Sequence, residues 1–174
     1  MDIFCEYMVK RKKEPKDTFI IFGSIVLGII LSFAVLLFLM RYIAAIAVLV
    51  VVGIWYGVAY IIRSTDVEYE YILTNSVMDI DKIMAKKSRK RVVRNLDFKE
   101  VTRCAPTNGE PLPEEPGIKV LDYSGDITDK SVYYVDFNKN GENTRMYFKP
   151  NAKILKNIKT ENPRGVTVNP EDIM

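Results

Sequence analysis

The residues able to carry chemistry are few, and each group lacks a partner it needs. Asp79 and Asp81 lie two apart, which on a strand aims both carboxylates to one side. Such a pair can move a proton or hold a cation. The plainer reading is a solvent-facing strand edge that answers the basic residues nearby. Asp122, Asp126 and Asp129 surround Gly125 in an oxygen-rich stretch, but the ligand order and closing glutamate of a calcium loop are missing. Cys104 follows Arg103, a neighbour able to lower a thiol pKa. An unreactive buried or loop cysteine is the simpler expectation. The chain has His 0 and Cys 2. It therefore lacks the commonest general base and metal ligand, and its cysteines offer no metal spacing. No catalytic group, cofactor or metal is expected, and the protein reads as non-enzymatic.

The distinctive polar feature is basic. Lys82, Lys86, Lys87, Arg89, Lys90, Arg91 and Arg94 occur with no acid among them. Anionic headgroups attract such side chains by about 1 kcal/mol each near a surface, fading within a Debye length. The alternative is a solvated basic turn. Nucleic acid is not the expected partner, because exposed aromatic residues do not interleave this run.

What positions these residues begins with an apolar stretch from Thr18 to Ile62, broken only by the charge of Arg41. As one helix it would reach about 67 Å, about twice a hydrocarbon core of about 30 Å. Arg41 at mid-membrane would cost about 2.5 kcal/mol or more. The stretch therefore predicts a transmembrane hairpin over 18–62, with spans near 19–39 and 43–62 and a tight turn around Leu39–Ile43. Lys10, Arg11, Lys12, Lys13 and Lys16 precede it and Arg63 follows, while the turn holds Arg41 alone. By the positive-inside rule both termini are cytoplasmic, in a cell-membrane protein. Ser24, Gly28 and Ser32 share one face of the first span, and Gly53 and Gly57 form a Gly-x-x-x-Gly pair in the second. Small residues at this spacing admit close helix packing, either within the hairpin or at a homo-oligomer seam.

Residues 1–17 read as a cytoplasmic juxtamembrane segment. Ile3, Phe4, Tyr7 and Met8 fit one helical face, either in the headgroups or packed on the cytosolic domain, and Pro15 ends the segment. Asp17 or Thr18 caps the first span. After Ile62 the period changes. Val67, Tyr69, Tyr71 and Leu73 alternate with Glu68 and Glu70, predicting a strand. Val77–Met84 and Arg89–Asn95 predict the next two. Residues 104–117, with four prolines and three glutamates, read as an exposed, mobile loop. Strands resume at Ile118–Tyr123, Val132–Asn138 and Thr144–Lys149, the last two around Asn140-Gly141. The tyrosines at 69, 71, 133, 134 and 147 are expected to pack in the sheet. Pro150 opens a helix over 151–160, and 161–174 is a loose tail.

The segment from Tyr69-Glu70-Tyr71-Ile72-Leu73-Thr74-Asn75 through the basic turn to Val92-Val93-Arg94-Asn95-Leu96 and Phe98-Lys99-Glu100-Val101 resembles the start of bacterial PH-like membrane proteins. Glu6-Tyr7-Met8-Val9-Lys10-Arg11 and Phe148-Lys149-Pro150-Asn151 are also similar to an uncharacterised family of small two-span proteins from Gram-positive bacteria. The resemblance implies, over 67–160, a PH-like antiparallel β-barrel closed by a C-terminal helix. The basic turn corresponds to the one where eukaryotic PH domains hold phosphate. The expected function is a membrane-anchored binding or scaffolding module, touching the inner leaflet, a protein partner or both. The alternative is an accessory subunit of a larger membrane complex, assembled through the spans.

Overall fold

Alternating hydropathy builds two sheets in the computed structural model, which describes residues 3–39, 41–139 and 141–173. Met40 of the expected outer turn, Asn140 of the Asn-Gly pair, Met1, Asp2 and Met174 lie outside the described residues. The chain divides into two compact units, one of Met1–Lys12, Glu68–Ile83 and Lys87–Met174, the other of Lys13–Val67 with Met84–Lys86.

The first unit is the sheet unit. Its strands are β1 (Phe4–Lys10), β2 (Val67–Thr74), β3 (Val77–Met84), β4 (Ser88–Asp97), β5 (Arg103–Pro106), β6 (Ile118–Asp122), β7 (Tyr133–Lys139) and β8 (Glu142–Phe148). They form two four-stranded sheets, ordered β1-β2-β3-β4 and β5-β7-β8-β6. A closed antiparallel barrel is therefore not what forms: β4 and β6 each end a sheet, and β6 runs parallel to β8. The large side chains Tyr71, Leu73, Phe98, Tyr133, Tyr147 and Phe148 are fully buried, each stabilising by roughly 1.5–3 kcal/mol. The Tyr71 hydroxyl donates to the Tyr123 carbonyl at 2.7 Å and accepts from the Lys149 amide at 3.1 Å. Helix α3 (Ala152–Glu161) starts where the Asn151 side chain accepts the Ile154 amide, and it buries Ile154, Leu155 and Ile158.

Three expectations are corrected here. The N-terminal segment is a strand: β1 pairs antiparallel with β2 from Phe4↔Thr74 to Lys10↔Glu68. Its alternation, with Cys5 and Val9 buried and Phe4 and Met8 exposed, outweighs the helical spacing because β2 offers a complete ladder. Residues 104–117 are anchored: Cys104 is buried in β5, Thr107 donates to the Val132 carbonyl, and the Leu112 amide donates to the Tyr147 hydroxyl. The tail is held as well. The Cys104 amide donates to Gly165, the Thr167 amide donates to Cys104, and Tyr133 donates to Asp172 at 2.5 Å.

The second unit holds two helices, α1 (Pro15–Leu39) and α2 (Ala44–Ser64), each long and apolar enough to cross a membrane. Pro15 opens α1 instead of ending the segment before it. Proline suits the first helical turn, and the Asp17 carboxylate accepts the Glu14 amide at 2.9 Å. The Tyr42 and Ile43 amides donate to the Leu39 carbonyl in the turn. Gly28 sits where α1 meets α2, and a Cβ there would lie 2.8 Å from Val58 Cγ2. Ser24 and Ser32 turn their hydroxyls back to the carbonyls of Ile21 and Gly28. Nothing lies within 4 Å of a Cβ built on Gly53 or Gly57, so the α1–α2 contact does not require glycine at either position.

Candidate functional site

The basic run divides into two groups on folding. Arg91 bridges Asp79 at 2.7 Å and Asp81 at 2.8 Å, and Arg89 pairs with Glu70 at 2.9 Å. The Asp79 carboxylate also accepts the Asn95 amide at 2.8 Å. Asp81 is buried, unlike the solvent-facing residue expected, and the Arg91 hydrogen bond holds its carboxyl below the usual carboxylate range, aided by the charges of Arg91, Arg89 and Arg94. The aspartate pair is thus a strand-to-strand clamp. Glu70, two strands from Arg89, escaped the sequence reading. Its signal was the shared period of Asp79-x-Asp81 and Arg89-x-Arg91 across one hairpin, with acids continuing on β2.

Lys82, Lys86, Lys87, Lys90 and Arg94 form no ion pair among the described residues. Lys86 and Lys87 occupy the β3–β4 turn, where Ala85 and Lys86 have φ of 53° and 56°. That left-handed conformation costs a non-glycine residue roughly 1–2 kcal/mol. The Ala85 amide donates at 3.0 Å to the carbonyl of Asp66, just after α2.

The other candidates resolve into structural bonds. Asp126 binds Lys12 at 2.7 Å and Asp129 binds Lys149 at 2.5 Å. Asp122 accepts the hydroxyl and amide of Ser124. Among the described residues no cluster of three or more metal-binding side chains occurs. Burial, reinforced by Asp136, pushes the Cys104 thiol up, so the Arg103 neighbour does not activate it. Tyr69, Tyr71, Tyr133, Tyr134 and Tyr147 are all buried.

A groove of about 380 Å³ lies beside β4 over the face formed by β6, β8 and β7, bounded by Val93, Leu121, Phe137, Lys119, Lys139 and Glu142. It adjoins a second of about 200 Å³, which shares Val93, Phe137 and Lys139 and adds Arg94.

Two PH-like sheets capped by a C-terminal helix, joined to a pair of apolar helices, define a PH-like domain protein. The chain belongs to the family described as Bacterial PH-like domain (DUF6106), which matches residues 1–168 and so includes the apolar hairpin. No curated protein and no solved structure matches it.

Proposed function

We propose that this protein is a membrane-anchored, non-enzymatic binding or scaffolding module. Its hairpin spans the cell membrane with both termini cytoplasmic. Its basic turn meets anionic lipid of the inner leaflet. The observation carrying this reading is the sorting of the cations. Arg89 and Arg91 are neutralised by Glu70, Asp79 and Asp81, whereas Lys86 and Lys87 are left at a turn whose backbone is bonded to the exit of α2. The turn holds Ala85 and Lys86 at positive φ, a conformation costly for non-glycine residues, and still carries two lysines. A tethered module meets the surface at high effective concentration, so contacts of about 1 kcal/mol per cation suffice. The non-enzymatic reading rests on membership of a PH-like family and on the structural bonds that absorb each candidate catalytic group.

The test uses the full chain in nanodiscs, spin-labelled through Lys87→Cys. Anionic lipid should immobilise the label relative to neutral lipid, and salt should reverse the effect. Equal mobility in both lipids, insensitive to salt, would discard the lipid contact.

An accessory-subunit role is the second reading. It is favoured by the open space at Gly53 and Gly57, where the α1–α2 contact does not require glycine. Crosslinking from these positions in native membranes tests it: adducts to another protein, or to a second copy, support assembly through the spans.

A further inference from the structure

We infer that the segment from Glu110 to Pro116 is a docking ridge for a partner protein, one whose groove is lined by aromatic side chains and bordered by cations. The sequence Glu110-Pro111-Leu112-Pro113-Glu114-Glu115-Pro116 leaves the backbone little choice. Each proline ring fixes φ at about −65°, and a residue before proline is pushed toward extended conformations. Three positions are proline and three precede one, so Glu114 alone escapes both restraints. The segment forms neither helix nor strand, and polyproline II is the conformation these restraints share. A turn bounds it at each end. The Glu110 amide donates to the Thr107 carbonyl at 3.1 Å, and the Ile118 amide donates to the Glu115 carbonyl at 3.2 Å.

One edge of the segment holds it in place. A polyproline II helix has about three residues per turn, so Leu112 and Glu115 share an edge. That edge meets the protein's own sheet. Leu112 packs on the cluster of Ala105, Val132, Tyr134 and Tyr147, and its amide donates to the Tyr147 hydroxyl at 3.2 Å. The Glu115 carboxylate pairs with the buried Arg145 at 3.1 Å. The other two edges, Glu110-Pro113-Pro116 and Pro111-Glu114, are exposed. The ridge is therefore ordered before it binds, and little chain entropy remains to be lost. Its chemistry selects the partner. Proline has no N–H, and the Glu110 and Leu112 amides are already spent, so the backbone offers mainly acceptors. Pairing as an added strand would need the missing donors. Aromatic faces for the proline rings, with tyrosine or tryptophan donors for the carbonyls, complement it instead. Glu110 and Glu114 form no ion pair among the described residues. Their charge calls for cations beside that groove and disfavours an anionic leaflet.

The ridge rests on the reading of the domain as a binding module, but not on its lipid contact. The test is photocrosslinking in cells that express the full chain, with benzoylphenylalanine in place of Glu114. An adduct to another protein is expected, and mass spectrometry of the crosslinked peptide should place it among aromatic and basic residues. Pro113→Ala combined with Pro116→Ala should lower the adduct yield at least about fivefold, and Glu110→Lys should do the same. Glu110→Lys keeps every proline, so it tests the charge even where the proline variant loosens the segment. Lys90→Gln should leave the yield unchanged. No protein adduct, an adduct only to lipid or to a second copy, or a yield indifferent to either change would overturn the proposal. A partner site without aromatic residues would overturn this docking mode while leaving the binding-module reading in place. The nanodisc measurement is unaffected by any of these outcomes, so the two readings fail separately.

Discussion

Lys10 and Glu68 face each other as the terminal pair of the β1–β2 ladder. Beyond Lys10 the chain leads into α1, and Glu68 follows directly on the exit from α2. Both ends of the apolar hairpin therefore enter neighbouring, hydrogen-bonded strands.

A pH dependence is expected at the loop that meets β1. Hydrogen bonds from Lys12 and Thr128 lower the Asp126 pKa from 3.8 to about 2. A depressed carboxylate stabilises fully above its unfolded value and loses that contribution as pH falls through the folded value. Thermal unfolding should therefore show a loss between about pH 4 and about pH 2. Asp126→Asn should flatten the profile in that window and leave the neutral-pH slope unchanged.

The clamp on β3 should matter for stability. Asp81→Asn removes one of the two charged partners of Arg91 and one partner of Arg89 in a buried position. Hydrogen bonds to charged groups contribute about 1.5–3 kcal/mol, so a loss of that order is expected in chemical denaturation. Lys90→Gln, which breaks no ion pair, should leave the midpoint unchanged.

The strained turn makes the opposite prediction. Ala85→Gly and Lys86→Gly should each stabilise the β3–β4 hairpin by about 1 kcal/mol, because glycine adopts positive φ without a Cβ clash. Only Lys86→Gly should also weaken spin-label immobilisation on anionic nanodiscs. Equal effects of the two variants there would separate the lipid contact from the charge of Lys86.

In the hairpin, two glycines of similar appearance should behave differently. Gly28→Val places a methyl-bearing carbon against Val58 and should destabilise the helix pair by about 1–3 kcal/mol. Gly57→Val meets open space and should leave the pair intact. Disulfide trapping between α1 and α2 in membranes reads both.

Sequence legibility followed the range of the interaction. The apolar helices were visible because length and hydropathy are local properties, and Arg41 fell in the turn. The β3–β4 hairpin, the β7–β8 hairpin and α3 were readable for the same reason: period and capping are set within a few residues. The clamp was half legible. Asp79 and Asp81 were singled out, but the reading placed them in solvent, and Glu70 was missed.

What the sequence determined by itself was the inventory of elements and the concentration of positive charge at one turn. It could not decide whether Ile3 to Val9 was helix or strand. Its apolar positions satisfy both periods, and the deciding partner is distant: the Ile3 amide bonds to Asn75, 72 residues away. The parallel β6–β8 pairing, the anchored 104–117 segment and the groove beside β4 belong to the tertiary structure alone. Each depends on backbone hydrogen bonds between segments far apart in the chain. Residue periodicity records which face of a strand is buried, but not which strand lies beside it. That is why the charged residues were found in the sequence, and the edges they border were found only in the fold.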